Sequence, residues 1–300
     1  METLREVLAP GFVLRNSVYI GLLVGLTCPL VGGYLVMRRM IFMGIALPQI
    51  SSCGIAFAFA LQGWGLLPHP HGTTEEHALA FGGSMVFTLL SILILTLLEK
   101  RRGGSVEGRL GAFYVLAGAW SILLLVKNPF GEHGMLDLLK GEIIAVPNSD
   151  LVLSAGVFGF AVIPLILFHK EFLLVSFDPE MATTLKKSVR GWDGLLFSLV
   201  GLIVSISVLS VGPLVTFGFL LVPSLIAYQL TRTMKQFLAL SSIIGGLSAV
   251  VGFVLAYRWD LPVGATDVAL LGILLILTFF AKRAATLFGP RCAAKREFPR

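Results

Sequence analysis

The amino-acid sequence is dominated by long runs that contain no Asp, Glu, Lys or Arg. They cover residues 16–37, 40–74, 78–98, 110–126, 151–169, 194–231 and 236–257, and an eighth, 261–281, holds only Asp267. About 20 apolar residues cross a hydrocarbon core roughly 30 Å thick, so each run is long enough, or nearly so, to span a bilayer. Charged residues make up 13% of the chain, against about 25% in ordinary soluble domains, and the mean hydropathy is +0.89. Too little charge remains to clothe a water-soluble surface. A soluble enzyme, a nucleic-acid-binding module and a disordered scaffold are excluded, and an all-α, polytopic integral membrane protein is predicted. Run 194–231 is too long for one crossing and is interrupted by Gly212-Pro213, which predicts two helices with a break between them. The total is nine crossings, or eight if one segment is re-entrant.

Positive charge sets the orientation. Placing Arg38/Arg39, Lys100–Arg109, Lys170–Arg190, Arg232/Lys235 and the C-terminal tail on one side gathers 18 of the 23 Lys and Arg residues. That side is the cytoplasm by the positive-inside rule. The C-terminus is then inside and the N-terminus outside. The net charge of +6 is accordingly a topology signal, not a sign of nucleic-acid binding. Cys28, Cys53 and Cys292 have no paired spacing, so neither a disulfide framework nor a zinc knuckle is encoded. The opening METLREVLAPGF lacks the pattern of a removable signal peptide. Residues 129–150 read as a short external or re-entrant helix. Gly21 and Gly25 form a G-x-x-x-G pair that lets helices approach closely, as internal packing or as a dimer seam.

The chemistry that is missing narrows the function. No phosphate-cradling G-x-x-x-x-G-K-[ST] loop occurs, and no H-E-x-x-H, so the chain has neither that route to ATP nor a zinc-protease helix. Secondary carriers usually hold ionisable residues in mid-membrane. Here Asp150, Asp193 and Asp267 fall near span ends, where a helix N-terminus or water can accommodate a carboxylate. A passive pathway driven from outside the chain fits better than a proton-coupled carrier.

Three stretches then act together: LVMRRMIFMGIALPQISSCGIAFAF (35–59), SFDPEMATTLKKSVRGWD (176–193) and VGPLVTFGFLLVPSLIAYQLTRTMKQFLALSSIIGGLSAVVGFVLAYRWDLPVGAT (211–266). In order and spacing they resemble the membrane subunit of the zinc/manganese-type ABC importers, over roughly residues 12–283. The last is more distantly similar to the vitamin B12 and iron-siderophore permeases. The resemblance implies an ABC importer permease fold, one transmembrane permease domain over 1–300 with an amphipathic lead (1–15) and a basic cytoplasmic tail (284–300). It further implies a homodimer in the bacterial inner membrane, surrounded by lipid and binding no nucleic acid. A separate cytoplasmic ATPase subunit would hydrolyse ATP, an extracytoplasmic solute-binding protein would deliver cargo, and the permease itself would be no enzyme. No cofactor is expected in this chain; zinc or manganese would be the transported substrate.

The resemblance also assigns residues. Leu230–Leu240 is implied to be a coupling helix seated in a cleft of the ATPase, carried by Thr231, Arg232, Thr233, Met234, Lys235 and Phe237; an ordinary positive-inside loop is the alternative. Asp178 before Pro179 fits a helix N-cap, which either braces that coupling segment or simply ends a helix. After the Arg-Arg pair the family carries Gly-Asp-Ala-x-x-His, an acid and an imidazole on one helix face that could touch a passing dication. This chain has Ile45 and Gln49 there. The translocation face is read as Ile45, Gln49, Ser52 and Cys53, a poor cage for a divalent ion. Two readings stay open: a metal held mainly by outer-loop groups, or a permease of the same fold for a non-metal cargo. The outer loop supplies His69, His71, Glu75, Glu76 and His77, good zinc ligands that either collect metal or are simply solvated. A stand-alone secondary transporter is the rival from another class.

Overall fold

The computed structural model describes residues 14–65, 73–99, 106–126 and 148–288. Among them every regular element is a helix. They are α1 (Arg15–Met37), α2 (Ile41–Gly63), α3 (Thr73–Glu99), α4 (Val106–Val126), α5 (Asn148–Leu167) and α6 (His169–Phe177). There follow α7 (Pro179–Thr184), α8 (Val189–Val211), α9 (Pro213–Leu230), α10 (Met234–Trp259) and α11 (Val263–Phe288). Eight are long and apolar enough to cross a membrane alone, and α5 and α6 form a pair bent by 67°, the geometry of either a broken ninth span or a re-entrant segment. The sequence-based count of nine, or eight with one re-entrant segment, holds, and α5–α6 is the segment on which the two differ. The bend falls at Phe168, one turn after Pro164, and α6 is turned onto α8 by Phe172 and Phe168, whose rings lie 5.7 and 5.2 Å from that of Trp192.

The expected break between α8 and α9 is present. Gly212 has φ +82°, ψ 165°, a conformation that side-chain-bearing residues rarely adopt, and Pro213 opens the next helix at its first position. The Thr216 hydroxyl donates to the Gly212 carbonyl at 2.7 Å, so the broken backbone keeps a partner.

Helices α1, α2, α8 and α9 form the interior. Lipid is as apolar as leucine, so burial of apolar area does not drive helices together within a bilayer; close packing of small residues and interhelical hydrogen bonds do. The backbones meet where glycine allows it. A Cβ on Gly25 of α1 would come within 2.6 Å of the Gly245 carbonyl of α10, and one on Gly54 of α2 within 2.5 Å of the Gly83 carbonyl of α3. Gly21 meets nothing within 4 Å. Gly25 therefore makes the close approach by itself, inside the subunit, and the expected G-x-x-x-G pair does not act as a pair. Between α2, α3 and α8 runs a seam of buried hydroxyls: Ser51 with Ser84 at 2.5 Å, and Ser205 to Thr88 at 3.3 Å.

The outer helices turn apolar faces away from this interior. Val115, Trp120 and Leu123 on α4, Phe160, Ile163 and Ile166 on α5, and Ile276, Leu277 and Phe280 on α11 are all exposed. Such bands call for cover by hydrocarbon or by another chain.

Candidate functional site

At the end of α9 the chain leaves the helix at Thr231 (φ −108°, ψ 159°), stays extended at Thr233 (φ −124°, ψ 148°), and starts α10 at Met234. Of the expected coupling helix Leu230–Leu240, residues 234–240 are helical as the first turns of α10, and 231–233 are not. Three non-helical residues, 231–233, lead directly into a spanning helix, because an uninterrupted helix-forming run starts at Met234 and nothing stops it before the membrane. Phe237 is buried, with its ring against the spot where a Cβ on Gly33 of α1 would stand, 3.1 Å away. The Tyr228 ring meets it edge-on at 6.3 Å.

Between these elements lies a small groove of about 60 Å³, lined by Met37, Phe177, Tyr228, Thr231, Arg232, Thr233, Met234 and Phe237. Five of the six residues assigned to coupling thus line one cavity. The sixth, Lys235, is exposed on the first turn of α10 beyond that lining. The floor is aromatic and thioether; the open side carries Arg232 and, beside it, Lys235, both exposed. Phe177 ends α6 immediately before Asp178, whose carboxylate accepts the Met181 N–H at 2.8 Å with Pro179 at the first helical position. The N-cap expected from the sequence is in place. Met181 and Leu185 extend the exposed apolar surface beside it.

One cluster escaped sequence reasoning. Arg38, just past the end of α1, is only 10% exposed; its Nη1 donates to Asp193 Oδ1 at 2.7 Å and its Nε to Ser176 Oγ at 2.9 Å. The guanidinium also lies 5.4 Å from the centre of the Phe197 ring. Alongside, the Tyr34 hydroxyl meets His169 Nδ1 at 2.9 Å. Arg38 and Asp193 are 155 residues apart, and no local spacing could have linked them; Asp193 fits an ordinary helix-start carboxylate in the sequence alone.

The four residues expected to form a translocation face lie on α2. Ser52 and Cys53 are buried, Gln49 and Ile45 partly exposed. The Gln49 amide lies against α4, 3.2 Å from where a Cβ on Gly118 would sit. No acid or imidazole joins them, and among the described residues no group of three His, Cys, Asp or Glu could hold a metal ion. Of the outer-loop candidates, His69 and His71 lie outside the described residues, as does most of segment 129–150. Glu75 and Glu76 occupy the first turn of α3, where a helix N-terminus favours carboxylates. His77 follows, partly exposed.

Asp267 departs from expectation. It is the fifth residue of α11, past the turn where orphan N–H groups can serve a carboxylate. The packing of α11 on α9 and α10 closes over it, leaving it 1% exposed, with Oδ1 pressed onto Gly252 and no hydrogen-bond partner.

Eight apolar spans, outer helices with apolar outward faces, a glycine-packed interior and a basic-rimmed groove define a multi-pass membrane protein. Residues 12–282 match the ABC 3 transport family. The chain belongs to that family and is a permease subunit of an ABC transport system. It is 29% identical over 285 residues to the manganese transport system membrane protein MntD of Bacillus subtilis, covering 90% of each chain. It is 26% identical to the manganese import system permease protein ScaB of Streptococcus gordonii, covering 89% of this chain and 90% of the relative. Among solved structures, that of PsaBC from Streptococcus pneumoniae in complex with Fab aligns with a TM-score of 0.76 and 25% identity, covering 91% and 94% of the two chains.

Proposed function

We propose that the chain is the membrane subunit of a manganese importer of the bacterial inner membrane. Two copies sit on a cytoplasmic ATPase and receive the ion from an extracytoplasmic binding protein. The permease hydrolyses nothing itself. The observation that carries this is the surface around the groove of Met37, Phe177, Tyr228, Thr231, Arg232, Thr233, Met234 and Phe237, apolar with exposed Arg232 and Lys235 beside it, which suits contact with a cytoplasmic partner. Manganese is preferred to zinc because of the relatives' cargo. The translocation face also suits an ion that is passed on, not held: Gln49 and Ser52 offer neutral oxygen donors, which manganese accepts, without the acid and imidazole that would bind zinc firmly.

The test uses the whole complex, co-expressed with its ATPase and binding protein and reconstituted in liposomes. ATP-dependent Mn(II) uptake and a disulfide or maleimide cross-link from Arg232→Cys to the ATPase are expected. Uptake by the permease alone down a proton gradient, or no cross-link, would remove the reading. Gln49→His adds an imidazole to the pathway and is expected to shift preference from Mn(II) towards Zn(II); unchanged selectivity and rate would place residue 49 off the route.

A further inference from the structure

We propose that Arg38 is the positioning residue that carries movement of the cytoplasmic groove into the pathway helix α2, an inference that rests on the groove being the ATPase contact. Two walls of the groove, Met37 and Phe177, are the chain neighbours of two members of the Arg38 cluster: Met37 precedes Arg38, and Phe177 follows Ser176. A partner pressing into the groove therefore displaces residues one peptide away from this cluster on both sides.

Arg38 joins the end of α1 to both α6 and α8, beside the Tyr34–His169 hydrogen bond that links α1 to α6. Its two hydrogen bonds reach Ser176 on α6 and Asp193 on α8, and its planar face rests on Phe197, also on α8. Arginine suits this because its rigid fork holds two acceptors in fixed directions, which a lysine ammonium cannot. Nη2 is buried without a partner, so the fork is incompletely satisfied in this conformation, and a shift of α6 or α8 can exchange its bonds.

From Arg38 to α2 there is no slack. Arg38, Arg39 and Met40 make the whole connection, closed by Arg39 N–H to Val36 O at 3.1 Å and Met40 N–H to Leu35 O at 2.9 Å, with Arg39 at φ +59°. Helix α2 begins at Ile41, and Gly44 already touches Leu220 and Leu221 of α9. A displacement of Arg38 is passed on to Ile45, Gln49, Ser52 and Cys53 as a movement of the whole helix.

The experiment compares Arg38→Lys, Asp193→Asn and the swap Arg38→Asp/Asp193→Arg with wild type in the reconstituted complex. It measures ATP hydrolysed per Mn(II) transported, the cross-link from Arg232→Cys to the ATPase, and the thermal midpoint of the complex. Both single variants are expected to keep the cross-link, the midpoint and ATP hydrolysis while the ATP-to-Mn(II) ratio rises roughly tenfold, with partial recovery in the swap. An unchanged ratio in both single variants overturns the proposal while leaving the groove assignment intact. Uptake and hydrolysis falling in proportion, together with a lower midpoint, would make Arg38 a structural tie and overturn it too. Loss of the cross-link in the otherwise wild-type chain would instead sink the groove assignment itself.

Discussion

A carboxyl oxygen buried without a hydrogen-bond partner is expensive to keep. Asp267 Oδ1 is sealed against Gly252 between α9, α10 and α11, and an unsatisfied buried polar group costs about 1–3 kcal/mol. Valine matches the buried part of the side chain and brings no polar atom. Asp267→Val is therefore expected to raise the thermal midpoint in detergent, with Asp267→Asn gaining less because its amide is just as stranded. A lower midpoint for both would mean that the carboxyl finds a partner in the assembled complex. This burial has no local signature in the sequence. Asp267 sits a few residues from Pro262 and reads as a span-end carboxylate; its confinement depends on glycine at position 252, fifteen residues earlier and on another helix. The same limit hid Arg38–Asp193, whereas the Asp178 cap, closed within three residues by Met181 N–H, was legible.

Among elements, what could be read was what a helix declares by itself. Gly212-Pro213 broke the long apolar run where expected, since a positive φ and a missing donor are local properties. The packing partners were not local. Gly21 and Gly25 are indistinguishable in the sequence, yet only Gly25 meets α10. Pro29 explains part of this: with no N–H, it leaves the Gly25 carbonyl without its usual helical donor, and that carbonyl is the atom facing Gly245. Adding a methyl group here has nowhere to go, since the obstacles are the backbone and the Pro29 ring. Gly245→Ala and Gly25→Ala are expected to destabilise by about 1–3 kcal/mol each, lowering the thermal midpoint and the yield of folded protein, while Gly21→Ala leaves both unchanged. Equal losses at Gly21 and Gly25 would contradict the packing of α1 on α10. The coupling segment shows the converse error: a basic, amphipathic stretch was readable, but its shape was not, because Met234 continues into the bilayer without a stop signal.

For the molecule as a whole, the decisive question is whether the bent pair α5–α6 crosses the membrane. If it does not, every residue after it changes sides relative to every residue before it. Charge argues that it crosses, because otherwise Arg38/Arg39 and the Lys100–Arg109 group would face one compartment and Lys170–Arg190 and Arg232/Lys235 the other, erasing the positive-inside bias. The groove argues the same independently: Met37 from before the pair, Phe177 at its very end, and Arg232 and Phe237 from after it line one cavity, so they share one side of the bilayer. Trp64 and Trp259 then fall together at the opposite surface, both more than half exposed, where tryptophan is favoured at membrane–water interfaces. Single cysteines decide it. Cys28 and Cys53 are buried, so replacing Cys292 with serine leaves a quiet background for a membrane-impermeant maleimide. In right-side-out vesicles Trp64→Cys and Trp259→Cys are expected to label, and Arg190→Cys and Arg232→Cys only after permeabilisation. Labelling of Arg190→Cys and Arg232→Cys alongside Trp64→Cys, with Trp259→Cys silent, would mean that α5–α6 turns back within the membrane. The groove could not then exist as one cytoplasmic surface.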